Sequence, residues 1–176
     1  EPYYALHPMQ EMDLPVPMEM ALAIARRESE FDFGVTSGAG AEGLMQLMPG
    51  TASDVARDLG LAHERARVLS DWRYNAQLGS TYIAQLSGMF DANVVMISAG
   101  YNAGPGRPLR WMEDFGDPRA GGMDIIDWIE HIPFNETRNY IQRVTESLPV
   151  YRARLGREAL PIPFTQELLG ATITVK

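Results

Sequence analysis

The sequence predicts a mainly α-helical fold, and three observations carry that prediction. Apolar residues recur at helical spacing, first in Met18, Ala21, Leu22, Ile24 and Ala25, and again in Ala76, Leu78, Tyr82, Ile83 and Leu86. Capping and stop residues punctuate these stretches. No repeat, low-complexity segment or Gly/Ser linker divides the 176 residues, of which 45% are hydrophobic, enough for one domain with a real core.

In chain order, residues 1–16 read as an irregular lead-in broken by Pro2, Pro8 and Pro15. Pro17 suits the first turn of the helix that carries Glu28. Phe31 and Phe33 are expected to pack where that helix ends, with Gly34 as its stop. A second helix starts around Pro49 to Thr51, includes Ala52, Val55, Ala56 and Leu59, and stops at Gly60. Residues 61–70 form a short helical piece or a loop. Asp71 is a candidate N-cap for a helix from Trp72 to Met89. Gly79 inside it costs on the order of 1 kcal/mol relative to Ala, which a close helix crossing would justify.

Asn93 caps a helix from Val94 to about Tyr101 that is apolar nearly all round, so it is expected to be the central buried helix. Asn102-Ala103-Gly104-Pro105-Gly106 is a firm turn signal. Leu109 to Phe115 is short and amphipathic, and 116–122 is a loop. Asp124 caps a helix that Pro133 ends. Asn135 caps a longer helix that Pro149 should kink or end. Residues 157–176, with β-branched Thr172-Ile173-Thr174-Val175, read as an extended tail wrapped on the domain.

A net charge of −8 argues against nucleic acid, whose phosphates require a basic surface, and against anionic lipid. There are no cysteines, so disulfides and thiolate metal sites are excluded. No apolar run approaches the roughly 20 residues of a membrane span. Glu1-Pro2 followed by two tyrosines lacks the basic start and apolar middle of a signal peptide. His7, His63 and His131 are scattered without metal-ligand spacing, so no catalytic metal is expected. With no phosphate-binding Gly-Lys motif or nucleotide fingerprint, no cofactor is expected either.

One residue is discordant. Glu28 falls four residues after Ile24 and seven after Ala21, on the inward stripe of its helix, whereas Arg26, Arg27 and Glu30 lie around the polar side. It stands before a loop of small residues containing Ser37, Gly38, Gly40 and Gly43. Such a Glu is either a buried carboxylate satisfied by an Arg or a backbone N–H, or a carboxyl kept protonated by partial desolvation. In the second case it can donate a proton to a leaving oxygen.

The motifs around Glu28 separate these readings. Glu28-Ser29, Ser37-Gly38-Ala39 with Gly43-Leu44-Met45-Gln46-Leu47-Met48-Pro49, Gly100-Tyr101-Asn102-Ala103-Gly104-Pro105-Gly106, and Ile132 through Tyr140 (IPFNETRNY) occur in one order. Together they resemble the lytic transglycosylases over roughly residues 15–152. Tyr4-Ala5-Leu6-His7-Pro8 looks like the opening of the catalytic domain of the large soluble type.

The resemblance implies a lysozyme-like helical domain with a substrate groove. It implies cleavage of peptidoglycan strands at the bond from N-acetylmuramic acid to N-acetylglucosamine, with a 1,6-anhydro product. Glu28 matches the single acid-then-base residue. Ser37 matches a hydroxyl near the cleavage point, although a loop Ser bonding its own backbone is an equal reading. Gln46 and Met48 match cleft-lining residues; otherwise Met48 would be core and Gln46 a surface or capping group. Tyr101 matches a tyrosine near the catalytic carboxyl. Asn102 fixes the turn or touches sugar. Glu136 matches a second acidic residue of the groove, or is a first-turn charge favoured by the helix dipole. Gly38, Gly40 and Gly43 are expected to give room for a sugar chain.

The resemblance also makes 1–176 one catalytic domain from the C-terminal part of a larger protein, because the large soluble relatives carry a long helical region before it. Periplasmic location follows from the substrate class alone. Position 100 is Gly where relatives often have Ala, which loosens the end of the buried helix. Glu42 is expected to be solvated, yet across a cleft from Glu28 it would be a hydrolytic base. Asp71 raises the same question and reads better as a cap. A goose-type muramidase and a non-catalytic glycan-binding domain of the same fold are the competing functions.

Overall fold

Pro17 directs the chain into α1, Met18–Ser29, one residue before the helix begins. A computed structural model describes residues 3–176; Glu1 and Pro2, with the readings placed on them, lie outside it. The chain divides into two compact units, one of residues up to 85 together with Lys176, the other of residues 86–175. The described residues are mainly helical, and the β-bridges among them are the isolated pairs Thr36–Glu42 and Glu42–Leu47.

In the first unit the lead-in is less irregular than its prolines imply. Pro8 opens a 3₁₀ turn, Pro8–Glu11, capped by His7 Nδ1, which accepts the Met9 N–H. Met9, Leu14 and Val16 are buried, because a rigid Pro-rich segment loses little further entropy on docking. α1 packs on this turn and buries Met20 through Ala25. It stops at Glu30, not at Gly34: Glu30 (φ 52°) and Phe31 (φ 67°) turn left-handed in succession. The Glu30 N–H still reaches Arg26 O, so the turn closes without a glycine. Phe33 does not pack there and is 46% exposed.

α2 spans Pro49–Asp58 and ends through Leu59 and Gly60, the Leu61 N–H returning to Ala56 O. Leu59 is exposed, because the capping turn carries it off the apolar stripe. α3 is the short piece Arg67–Ser70. α4 runs Trp72–Met89 as the sequence predicts. Asp71 Oδ1 caps it, accepting the Arg73 and Tyr74 N–H groups. The hydrogen bond from Arg67 outweighs the cost of desolvation and, with the backbone N–H groups, holds Asp71 below the usual carboxylate range. A cap so engaged is not a candidate base.

The last residues of α4 belong to the second unit, whose centre is α5, Val94–Ala103. Asn93 caps it by accepting the Met96 N–H, and Val94 through Gly100 are buried. Around α5 pack α6 (Gly106–Phe115), α8 (Asn135–Arg154) and α9 (Phe164–Leu169). α7, Ile125–His131, is capped by Asp124. Gly100 does not loosen α5, since Phe90 and Leu86 close to 3.2 and 3.3 Å of where a Cβ would stand.

Three expectations are corrected in this unit. Asn135 is the first residue of α8 and not its cap, which is Phe134. Pro149 neither ends nor interrupts α8. The turn beyond it is held by fully buried Tyr151 and by Arg152, paired with Glu167 at 2.7 and 2.5 Å. That burial offsets a proline penalty of ~3 kcal/mol. The tail is not extended throughout, since α9 forms within it. Its end does wrap: the Ile173 N–H donates to Ala92 O, Ile173 O accepts from Ser87 Oγ, and Asn93 Nδ2 donates to Leu168 O and Gly170 O.

Candidate active site

Glu28 is the penultimate residue of α1 and is half-buried; Glu19 through Ala25 of the same helix are buried, and Arg27 beside it is exposed. Two features of the sequence produce this. The inward stripe carries the side chain toward the interior, and the helix ends one residue later, so the carboxyl stands half-buried at the helix end. The C-terminal carbonyls of a helix carry partial negative charge, which opposes an anionic side chain there. Ser29, whose contribution was not legible in the sequence, locks this turn to the next loop. Its Oγ lies 2.6 Å from Leu44 O and 3.2 Å from Ala25 O.

The loop that follows is a compact network. The Ser37 N–H donates to Ala41 O, the Gly43 N–H to Val35 O, and Glu42 and Leu47 exchange both backbone bonds. Ser37 Oγ accepts the Ala41 N–H at 3.0 Å, so the loop-stabilising reading is realised, with the hydroxyl proton still to be donated. Gln46 has φ 50°, and its Nε2 donates to Val35 O and Gly43 O. The amide therefore pins the loop in a left-handed turn that would otherwise cost ~1–2 kcal/mol. Met48 is 45% exposed, which overturns its reading as core.

Gly43 is not there to make room for sugar. Its φ is +81°, and a Cβ would meet Asn75 Nδ2 at 2.4 Å and Val68 O at 2.5 Å. Gly38 and Gly40 face open space. Asn75, fully buried on α4, was missed by the sequence reading. It accepts the Met45 N–H at 2.8 Å and donates to Glu42 O and Val68 O. The available signal was a polar residue next to Ala76 and one turn before Gly79, where α4 faces the loop. Gly79 admits the Met45 side chain, whose Sδ would lie 2.5 Å from an added Cβ. A seated loop, and not a helix crossing, is thus the reason for that glycine. Glu42 is not solvated: it is 9% exposed and its Oε1 accepts from Arg65 Nη2 at 3.3 Å.

The second unit gathers the other candidates. Tyr101 and Asn102 are half-buried on the last turn of α5. Asn102 does not fix the turn after α5; that is done by the Gly104 N–H to Gly100 O bond. Instead Asn102 Nδ2 donates to Glu136 Oε1 at 3.3 Å, and its Oδ1 accepts from Thr137 Oγ1 at 2.7 Å. Thr137, buried and unforeseen, is what orients the amide. Glu136 is exposed in the first turn of α8, where the helix dipole favours its charge. Asn102 and Glu136 are therefore one hydrogen-bonded unit.

Known proteins resemble this chain in sequence and in fold. Residues 9–120 match the family described as Transglycosylase SLT domain. The chain is 37% identical over 136 residues to the soluble lytic murein transglycosylase of Salmonella typhimurium, covering 76% of this chain and 20% of that protein. It superposes on the 70 kDa soluble lytic transglycosylase of Escherichia coli with a TM-score of 0.76 at 36% identity, covering 83% of this chain and 23% of that one. It also superposes on an inactive glutamate-to-glutamine mutant of the lytic transglycosylase Slt of Pseudomonas aeruginosa, with a TM-score of 0.71 at 40% identity, over 81% of this chain and 22% of that one. The chain spans about a fifth of the length of the curated relatives it matches.

Proposed function

The chain belongs to the transglycosylase SLT domain family, and from that premise we propose that it is the catalytic domain of a peptidoglycan lytic transglycosylase. The substrate is the glycan strand, cut at the β-1,4 bond from N-acetylmuramic acid to N-acetylglucosamine. Glu28 acts twice. As a carboxylic acid it protonates the glycosidic oxygen, the N-acetylglucosamine leaves, and the substrate's own N-acetyl group shields C1. As a carboxylate it then removes the proton of the muramic acid C6 hydroxyl, which attacks C1. The C1–O4 bond is exchanged for a C1–O6 bond, Glu28 recovers its proton, and no water is consumed.

The observation that carries this reading is a half-buried carboxyl on the last turn of a buried helix, tied by its neighbour Ser29 to the loop of 37–48. The first step requires Glu28 to carry its proton when the strand binds. Within the reading, Ser37 donates its hydroxyl proton to sugar, Met48 offers an apolar face, and Gln46 keeps the loop in shape beneath the strand. Among the residues of the second unit, Tyr101, Asn102 and Glu136 are substrate-binding in this reading, Glu136 being oriented by Asn102. The whole chain serves as one catalytic domain. Periplasmic residence belongs to the same proposal, because peptidoglycan lies outside the cytoplasmic membrane; no helix among the described residues is long and apolar enough to cross one.

Digestion of purified sacculi by wild type and Glu28→Gln, with products read by mass, tests this. Wild type releases anhydro-ended muropeptides and Glu28→Gln releases none while still binding sacculi. Reducing-end products one water heavier would identify a hydrolase of goose type. A wild type that binds sacculi without cutting them would identify a glycan-binding module.

A further inference from the structure

Where α1 stops, the first unit holds a cavity of about 470 Å³ that involves none of the residues assigned above. Its lining includes Tyr3, His7, Arg26, Glu30 and Phe31. Arg26 and Glu30 are one helical turn apart. The backbone is held left-handed at two consecutive non-glycine residues, Glu30 and Phe31, both of which line the cavity. Strain of this kind persists where the surroundings over-determine it, and it concentrates at ligand clamps.

The aromatic groups are built in, not loosely collected. The His7 ring stacks on Phe31 at 5.4 Å with 13° between planes, and His7 and Trp72 meet in a T-shaped contact at 4.6 Å. Tyr3 lies against the Arg26 guanidinium, 4.2 Å from its ring centre, and Arg26 Nε donates to Tyr3 O at 3.0 Å. Burial, with Arg73 nearby, pushes the His7 imidazole down, so the ring is neutral at pH 7. Since His7 Nδ1 accepts the Met9 N–H, the ring proton sits on Nε2, a donor.

The cavity thus presents one cation, one anion and a neutral donor, with aromatic faces between them. Opposite charges cancel, so no ligand of a single sign is favoured. Guanidinium only donates and carboxylate only accepts, which together suit groups that do both, such as hydroxyls. Aromatic faces suit an apolar C–H surface. A peptide held through its backbone would need a strand edge or a nest of amides; the residues lining this cavity contain no strand.

We propose that the cavity formed by Tyr3, His7, Arg26, Glu30 and Phe31 is a second saccharide-binding site, taking a short run of neutral N-acetylated hexopyranose units. It gives the glycan strand a hold outside the residues of the catalytic reading. It rests on that reading for the choice of amino sugar, and not for the existence of the site.

The test is an amide NMR titration of the intact chain with tri-N-acetylchitotriose. Saturable shifts are expected at Ala5, His7 and Phe31. Phe31→Ala should weaken that response at least tenfold, and Arg26→Met should do so comparably, while responses across Ser37 to Met48 stay as in wild type. Phe31→Gly, which relieves the left-handed strain, separates lost stacking from a misfolded turn: it must also bind weakly. Responses confined to Ser37 through Met48, or none at all from a protein that still releases anhydro products, would remove the cavity site and leave the proposed function standing. Responses at the cavity from a protein that cuts nothing would do the reverse. Responses to a free alanyl-γ-glutamyl peptide in place of the saccharide would overturn the ligand class.

Discussion

Gly43 and Asn75 meet at a distance that permits no side chain on the first: a Cβ built on Gly43 would stand 2.4 Å from Asn75 Nδ2. Asn75 is fully buried and spends its amide on Met45 N–H, Glu42 O and Val68 O. One side chain of α4 thereby fixes the loop that carries Gln46 and Met48.

Gly43→Ala should therefore be costly for two separate reasons. The left-handed φ adds ~1–2 kcal/mol. Displacing Asn75 loosens three buried hydrogen bonds, and each buried group left unsatisfied costs ~1–3 kcal/mol. We expect a loss of ~3 kcal/mol or more, a fall in Tm of roughly 6–12 °C for a chain of this size. Calorimetry checks it; a fall smaller than about 3 °C would mean that the loop does not depend on this contact.

Met48→Ala should separate function from folding. Met48 is 45% exposed, so its truncation should change stability by no more than ~0.5 kcal/mol. If its thioether covers a sugar face, losing part of a contact worth ~1.5–3 kcal/mol when fully buried should lower kcat/KM on sacculi about fivefold. Unchanged turnover with unchanged Tm would place Met48 off the substrate path.

The helices were legible because their signals are local. Asp71 before Trp72, Asn93 before Val94 and Asp124 before Ile125 each cap the helix that their residue type announces. Stops and long-range contacts were not. Glu30 and Phe31 end α1 with no glycine, and Pro149 sits inside α8 because Tyr151 and the Arg152–Glu167 pair hold the next turn. Neither compensation is visible in neighbouring residues. The same division runs through the candidate site. Glu28 stands out as a candidate because a carboxylate on an apolar stripe is a local anomaly. Ser29, Asn75 and Thr137 act on partners 15, 30 and 35 residues away and leave no local mark.

Stability should fall in acid through Glu167. Burial alone would push its carboxyl up, but the paired hydrogen bonds and charge of Arg152 prevail and hold it below the ordinary range. A carboxylate whose folded pKa is depressed contributes stability fully present above its unfolded value, about 4.3, and lost as pH falls through the folded value. Glu167→Gln leaves the Arg152 charge buried and unpaired, so near pH 7 it should cost ~3–5 kcal/mol. The difference between the urea melts of the two proteins should begin to shrink below about pH 4 and vanish as pH falls through the folded value. A difference that stays constant from pH 7 to 3 would show that the pair's charge is not what the mutation removes.

Gly79→Ala sets two effects against each other inside α4. Helix propensity favours Ala by ~1 kcal/mol. Against it, the new Cβ would meet Met45 Sδ at 2.5 Å and Met45 Cβ at 2.9 Å, and Met45 is fully buried. The thioether can swing aside, but Met45 Cβ moves only with the loop backbone, which the Met45 N–H to Asn75 bond resists. Overpacking of this kind costs ~1–3 kcal/mol, so the variant should be less stable than wild type despite its better helix former. Met45→Ala alone opens a cavity at a cost of ~2–5 kcal/mol. Combined with Gly79→Ala, it relieves the clash with Sδ but keeps the Cβ at 2.9 Å, so the double mutant should be more stable than the sum of the singles by ~0.5 kcal/mol or more. Urea denaturation of the four proteins measures that coupling. A Gly79→Ala protein as stable as wild type or more so would mean that the loop yields freely, and that α4 does not set the position of Gln46 and Met48.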